Sequence, residues 1–165
     1  MYTVIEYNPR WRKQFEAEAK RLRSILGVDA LAIEHIGSTA VPGLAGKPTI
    51  DVLVLVANIA VADQYRDAME RSGYSAHGAY VTPESRLFTK DMRGTRVVNI
   101  HFFSQNHRHG NEMLAVRSYF TQHPQDAERY GTLKKTLFRK YPENYGAYRK
   151  AKDKYLEQLI RKHHL

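Results

Sequence analysis

The spacing of apolar residues predicts a helix followed by two strands in the first third of the chain. The helix begins at Asn8-Pro9, because asparagine caps a helix and proline fits its first turn, and it ends before Gly27. Its apolar stripe has helical spacing and consists of Trp11, Phe15, Leu22 and Leu26. The first strand is predicted over 31–36. The apolar run 51–56 is predicted to be a central strand that is buried on both faces.

The rest of the chain predicts one more helix, two more strands and then three helices. The helix is expected over 58–72, the strands over 85–90 and 96–103, and the C-terminal helices over 111–122, 125–140 and 143–162. No internal repeat or linker interrupts this order, so we expect a single domain over 1–165. It would have a β-rich core at about 28–103 and a helical part at about 111–162. The predicted fold class is α+β, a mixed β-sheet flanked by helices.

The composition of the chain excludes several kinds of site and of protein. The chain has 165 residues and no cysteine, which excludes a disulfide framework, a thiolate metal site and a cysteine nucleophile. No apolar stretch reaches the roughly 20 residues that span a bilayer, and the N-terminus lacks the layout of a signal peptide. We therefore expect a cytoplasmic protein without a membrane segment.

Positive charge is concentrated in the C-terminal part. The formal net charge is +9, and residues 104–165 hold 13 of the 26 Lys and Arg but only 6 of the 17 acidic residues. Such a field favours anionic partners, namely nucleotides, nucleic acid or an acidic protein. The last predicted helix interleaves basic residues with Tyr148 and Tyr155, so RNA binding is one hypothesis and a solvated basic face is the alternative.

The best candidate for a functional site combines a glycine turn with an acidic residue at the head of a buried strand. Gly37-Ser38-Thr39 follows the first strand, and its amides and hydroxyls are donors that suit a phosphate. Asp51 opens the second strand, where a carboxylate costs energy unless it binds a metal or pairs with a basic residue. The alternative is that the turn only caps a helical turn and that Asp51 only forms an ion pair. A P-loop is excluded, since Pro48 occupies the Ser/Thr position after Gly46-Lys47.

Polar residues inside apolar strands give further candidates. His35 interrupts the first strand, and Asn99 and His101 project from the same face of the strand at 96–103. Together with Asp51, the two histidines form a candidate site for a divalent ion or a phosphate, although a lone strand histidine is commonly a core residue. Lys47 is a candidate point charge for phosphate.

The order of these motifs resembles the nucleotidyltransferase superfamily pattern, in which a hydrophobic-Gly-Ser turn is followed by Asp-x-Asp. Here the two parts are Ile36-Gly37-Ser38 and Asp51-Val52-Leu53. Over nearly the whole chain, the sequence also resembles the GrpB family, through YNPRW, EHIGSTAVPGLAGKPTIDVLV, NIHFF and RSYFTQHPQDAERYGTLKKTL. The resemblance implies a nucleotidyltransferase-like fold with a C-terminal helical part. Relatives of the family also occur joined to dephospho-coenzyme A kinase, which points to a nucleotide or a coenzyme A related ligand.

The hypothesis of a nucleotide-binding protein of this fold gives each candidate residue a role. The phosphate-binding candidates are Gly37, Ser38, Thr39, Lys47 and Arg86. The catalytic candidates are Asp51, His101 and His35, of which Asp51 and His101 would bind Mg²⁺ or Mn²⁺.

The sequence departs from the superfamily pattern at the second carboxylate of the Asp-x-Asp pair. Leu53 stands in its place, and the later strand offers Asn99 and His101 where a third carboxylate is expected. Two-metal phosphoryl transfer needs ligands that hold both ions. The sequence therefore leaves two hypotheses open besides RNA binding: a nucleotidyl or phosphoryl transferase with an atypical metal site, or a protein that only binds a nucleotide or another phosphorylated ligand.

Overall fold

A five-stranded mixed sheet organises the computed structural model, which describes residues 2–165. Its strands are β1 (Ala32–Ile36), β2 (Ile50–Val56), β3 (Ser75–Ala76), β4 (Ser85–Met92) and β5 (Thr95–Ser104). The strand order is β1-β2-β5-β4-β3, in which β2 and β5 run parallel and the other neighbours run antiparallel. The predicted α+β fold is confirmed. Strand β3 is too short for a hydrophobic period to predict it.

The described part of the chain forms six α-helices, none of which is long and apolar enough to cross a membrane. They are α1 (Arg10–Leu26), α2 (Ala60–Gln64), α3 (Arg66–Arg71), α4 (Arg108–Gln122), α5 (Pro124–Lys140) and α6 (Tyr145–His163). The helix predicted over 58–72 is divided into α2 and α3, which meet at Tyr65. Helix α4 begins earlier than the predicted residue 111, because the His107 ring accepts a hydrogen bond from the His109 amide and caps the helix.

Helix α1 forms where its apolar stripe predicts. The Asn8 side chain accepts a hydrogen bond from the Arg10 amide at 3.0 Å, and Gly27 ends the helix with a φ of 55°. Trp11 and Leu22 are buried under the sheet. Each large apolar side chain buried in this way contributes about 1.5–3 kcal/mol to stability.

Strand β2 is buried on both faces, as its uninterrupted apolar run predicts. Val52 and Val54 pack into the main core, which α1, α2 and α3 cover. On the opposite face, Leu53 packs with Phe103 under α4. Asp51 shares this second face with Leu53, because the two residues are two positions apart on the strand. A cleft opens there between the sheet and the C-terminal helices.

Candidate functional site

Asp51 lies near the start of β2 with a carboxylate that is about 30% exposed. Its neighbour on β5 is Asn99, whose Nδ2 donates a hydrogen bond to Asp51 Oδ1 at 2.8 Å. The Nε2 atom of His101 lies 3.9 Å from the same oxygen, which is too long for a direct hydrogen bond. The parallel pairing of β2 with β5 therefore brings an acid, an amide and an imidazole to one face of the sheet.

The surroundings of Asp51 keep it ionised. Burial by itself raises the pKa of this carboxyl, but the neighbouring His101, the hydrogen bond from Asn99 and the positive charge of Lys47 together lower it below its ordinary value. Asp51 is therefore a carboxylate at neutral pH.

Gly37 allows the turn after β1 to approach the Asp51 carboxylate closely. Gly37 has a φ of +74°, and a Cβ atom at this position would lie 2.8 Å from Asp51 Oδ2. The 3₁₀ turn that follows, Ser38–Ala40, contains the hydroxyls of Ser38 and Thr39. The lack of a side chain at Gly37 thus allows the turn to lie beside Asp51.

Lys134 enters the same region from α5, although it is only 2% exposed. Its Nζ donates to Ser38 Oγ at 2.6 Å and to the Ala45 carbonyl, and it lies 4.5 Å from the centre of the Tyr130 ring. Within residues 2–165, no carboxylate forms an ion pair with this lysine. Buried lysines are normally paired with an acid, so Lys134 is unusual in contacting only neutral groups.

The electrostatics of Lys134 follow from this position. Burial and the positive charge of Lys152 lower the pKa of Lys134 to about 7, although Asp51 acts in the opposite direction. The charged and neutral forms of Lys134 therefore coexist near neutral pH.

These residues line a cavity of about 130 Å³, which we call the Asp51 cleft. Residues 37–51 contribute Gly37, Ser38, Thr39, Val41, Leu44, Lys47, Thr49 and Asp51, and the helices contribute Val116, Arg117, Phe120, Tyr130, Lys134, Tyr148, Lys152 and Leu156. A dry protein cavity of about 150 Å³ holds one benzene molecule, so the enclosed part of the cleft suits a single phosphate group or a small ring.

The charge lining the Asp51 cleft is mainly positive. Lys47, Arg117, Lys134 and Lys152 line it, whereas Asp51 is the sole carboxylate among the described lining residues. Two of these cations already have acidic partners: Arg117 donates to Glu34 at 2.7 Å, and Lys152 lies 3.1 Å from Asp153. The cleft therefore presents a positive field to an anionic ligand.

Most of the residues predicted to form the site come together here. Gly37, Ser38, Thr39, Lys47 and Asp51 all line the cleft, and His101 lies beside Asp51. Their roles in binding or catalysis stay predictions.

Two of the predicted site residues do not lie with the others. His35 is paired with Val52 and so faces the main core, where its ring stacks on Phe15 at 4.6 Å and its Nε2 lies 2.8 Å from Thr39 Oγ1. Burial lowers the pKa of His35 to about 4, against the effect of Asp51, so the ring is neutral at pH 7. The structure therefore places His35 on the face of the sheet opposite to Asp51 and His101, and its catalytic role stays a prediction.

Arg86 also lies away from the cleft. It is on β4 opposite Phe102, which belongs to the main core, and its guanidinium holds the Asp63 carboxylate through two hydrogen bonds of 2.6 and 2.9 Å. An arginine bound bidentately to an acid has few donors left for a phosphate. The structure thus gives Arg86 a structural partner at a distance from Asp51.

The metal site of two-metal transferases does not fit this donor set. Leu53, at the position of the second carboxylate, is fully buried between Ile36 and Phe103. In the part of the chain that the structure describes, no three His, Asp or Glu side chains are close enough together to hold a metal ion. Asp51 and His101 remain as two donors, which suits at most a single hard cation that keeps waters or ligand oxygens in its other positions.

The sequence interpretation missed three basic residues of the cleft: Arg117, Lys134 and Lys152. Lys134 had a readable signal, because it falls on the buried stripe of α5 with Ala127 and Tyr130, at helical spacing. A lysine on a buried apolar stripe indicates a site where something offsets the cost of burying its charge. Lys152 lies within a basic run and Arg117 on a mixed helix, so their patterns carried no such signal.

Comparison with known proteins gives a family and a fold. A family model described as GrpB protein matches residues 2–162. A UPF0157 protein of Halalkalibacterium halodurans is 34% identical over 97% of this chain and 81% of its own length. The UPF0157 protein YqkA of Bacillus subtilis is 33% identical over 93% of this chain, which spans 45% of that relative's length. The crystal structure of the conserved protein GrpB from Enterococcus faecalis is 37% identical, with a TM-score of 0.91, and the match covers 97% of this chain and 96% of that one.

More distant likenesses concern the fold and a short segment. The Cid1 poly(U) polymerase has a TM-score of 0.55 at 19% identity, over 82% of this chain and 43% of that one. At this identity the likeness shows the fold alone, which this chain shares with that polymerase. A dephospho-CoA kinase of Mycolicibacterium paratuberculosis is 36% identical over 43% of this chain and 18% of its own length.

Proposed function

The chain belongs to the GrpB family, and from this premise and the geometry of the Asp51 cleft we propose that it binds a nucleotide or another phosphorylated small molecule. One phosphate of the ligand sits in the enclosed part of the cleft, where it accepts hydrogen bonds from Lys134 and Ser38. The rest of the ligand extends past Asp51 towards the mouth of the cleft.

The observation that carries this proposal is the unpaired state of Lys134. A buried ammonium costs several kcal/mol unless an anion compensates it. The described residues in direct contact with it offer only neutral oxygens and a ring face, because Asp51 acts on Lys134 without forming an ion pair. A phosphate in the cleft supplies the missing negative charge. Ser38, already in contact with Lys134, adds a hydroxyl donor at the same point.

The size and the charge of the cleft support the same ligand class. Its enclosed volume of about 130 Å³ suits one phosphate rather than a whole nucleotide, so further phosphates and the attached group lie nearer to Lys47 and Lys152. These two cations favour a ligand with several negative charges.

Calorimetric titration with inorganic tripolyphosphate and with ATP tests the proposal. We expect both to bind the unmodified chain, and we expect Lys134→Met to weaken both about 10- to 150-fold, because a hydrogen bond to a charged group contributes about 1.5–3 kcal/mol. Lys140→Met is the matched control, since Lys140 is exposed on the same helix. Circular dichroism verifies that both variants fold.

Two results would contradict the proposal. One is the absence of binding of either probe to the unmodified chain. The other is an equal affinity of the Lys134→Met and Lys140→Met variants for tripolyphosphate.

A second candidate function is transfer of a nucleotidyl or phosphoryl group, and the ionised Asp51 beside His101 is the observation that favours it. These two residues would hold one Mg²⁺ or Mn²⁺, which when bound neutralises charge on the ligand phosphates. We expect Mn²⁺ to tighten ATP binding to the unmodified chain and not to the Asp51→Asn variant. Identical affinities with and without Mn²⁺ in the unmodified chain would leave binding as the function and rule out this route.

A further inference from the structure

The loop between β3 and β4 holds an exposed aromatic side chain, Tyr80, beside His101, which is a neighbour of Asp51. Tyr80 is 46% exposed, and its ring centre lies 6.4 Å from that of His101. The guanidinium of Arg149, from α6, lies 5.3 Å from the centre of the same ring. Tyr80 therefore stands between the sheet and the last helix.

The backbone around Tyr80 is fixed by a buried serine. Ser85 Oγ accepts hydrogen bonds from the amides of Tyr80, Val81 and Thr82, at 3.2, 3.1 and 3.3 Å, and donates one to the Thr82 carbonyl at 2.9 Å. The Leu87 amide also donates to the Gly78 carbonyl at 3.0 Å, which ties the loop to β4. A ring on a loop held in this way is positioned before any ligand arrives, so little ordering entropy opposes a contact with it.

Both neighbours of Tyr80, His101 and Arg149, connect it to residues of the Asp51 cleft. His101 separates it from Asp51, since the His101 ring is 3.9 Å from the Asp51 carboxylate. Arg149 is one turn before Lys152 on α6, and Lys152 lines the cleft. A ligand anchored by a phosphate at Lys134 and extended past Asp51 and His101 would therefore reach Tyr80.

We propose that Tyr80, held by Arg149 and the Ser85-anchored loop, is a stacking platform for the planar ring of the ligand, so that the cleft selects nucleotides over phosphorylated compounds without a ring. This inference rests on the proposed function and names the ligand class of the same site. Tyrosine suits the task because its π face attracts a base of any identity, and the stacked guanidinium keeps the ring in place.

The test compares one ligand with a base and one without. Affinities for ATP and for inorganic tripolyphosphate are measured by calorimetry for the unmodified chain, Tyr80→Ala, Tyr80→Phe and Val81→Ala. We expect Tyr80→Ala to weaken ATP binding about 5-fold or more, the effect of losing one base–aromatic stack, and to leave tripolyphosphate binding unchanged. Tyr80→Phe keeps the ring and should keep the affinity for ATP, and Val81→Ala is the control for an equally exposed neighbour.

The outcomes separate this inference from the proposed function. If tripolyphosphate binds and Tyr80→Ala leaves ATP binding unchanged, or weakens both probes equally, the platform is refuted while the phosphate site stands. If neither probe binds the unmodified chain, the proposed function fails and the platform fails with it.

Discussion

Protonation of Lys134 should couple both the stability of the fold and its affinity for anions to pH. The pKa of this lysine is lowered to about 7 by burial and by Lys152, against the opposing charge of Asp51, whereas an unfolded lysine titrates near 10.4. Between these values the unfolded chain binds a proton that the folded chain has released. The free energy of unfolding therefore rises with pH in this window, by about 1.4 kcal/mol per pH unit for this one group. Below about pH 7 both states are protonated and the stability stays at its lower level.

The perturbation is a change from pH 7 to pH 9, applied to the unmodified chain and to Lys134→Met. Over these two units Lys134 contributes about 2–3 kcal/mol, because it is almost fully buried and solvent screens it little. The assay is urea denaturation at pH 7, 8 and 9. For each protein, the change in the free energy of unfolding from pH 7 to pH 9 is determined, and the two changes are subtracted. Titratable groups that both proteins share cancel in this difference. Parallel pH profiles for the two proteins would refute the reasoning.

The same linkage predicts a pH dependence of ligand binding. An anion next to Nζ favours the charged form, so binding of tripolyphosphate takes up a proton when Lys134 is neutral. Its affinity should fall as the pH rises above 7, by up to about tenfold per unit, and this fall should be absent in Lys134→Met. Calorimetry in two buffers of different ionisation enthalpy measures the proton uptake directly, and Lys140→Met should keep the profile of the unmodified chain.

Three further predictions concern Gly37, Leu53 and Arg86. Gly37→Ala should destabilise the fold more than Gly43→Ala when both are measured by urea denaturation. Both glycines have positive φ, which costs about 1–2 kcal/mol for alanine, but only at Gly37 would the new Cβ lie 2.8 Å from the Asp51 carboxylate. Leu53→Asp, which introduces the carboxylate that the Asp-x-Asp pattern has at this position, should lower the free energy of unfolding by about 4 kcal/mol or more, because the site is fully buried and apolar; a stable variant would contradict this. Arg86→Met should leave the affinity for tripolyphosphate unchanged in calorimetry, and a clear loss of affinity would show that the arginine reaches the ligand.

The elements of the fold were predictable where one physical signal dominates. The apolar stripe of α1 and the apolar run of β2 each form a continuous buried surface. Their apolar residues are therefore visible in the sequence, at helical spacing in α1 and as an uninterrupted run in β2. The break at Tyr65 and the early start of α4 were not predictable, because they depend on local hydrogen bonds rather than on a period.

The members of the candidate site between residues 37 and 51 were predictable together because they belong to one segment, and His101 was predictable because it interrupts an apolar strand. Gly37 and Asp51 belong to one motif, and the turn that links them places them together. The face on which His35 lies depends on the register of β1 against β2, where Ile36 and not His35 pairs with Asp51. A shift of one residue reverses the face of every side chain in a strand, and the sequence of one strand does not contain its register. The partner of Arg86 likewise depends on which helix packs against β4.

The contact between Lys134 and Ser38 joins residues 96 positions apart, and the contact between Lys47 and Tyr145 joins residues 98 apart. During synthesis, the turn and the acid leave the ribosome long before the helices that carry the lysine and the tyrosine. A nascent chain that stops short of α5 therefore lacks Lys134, on which the proposed phosphate site depends. Under the proposed function, binding of an anion requires that the last helices have docked, so it would serve as a readout of completed folding.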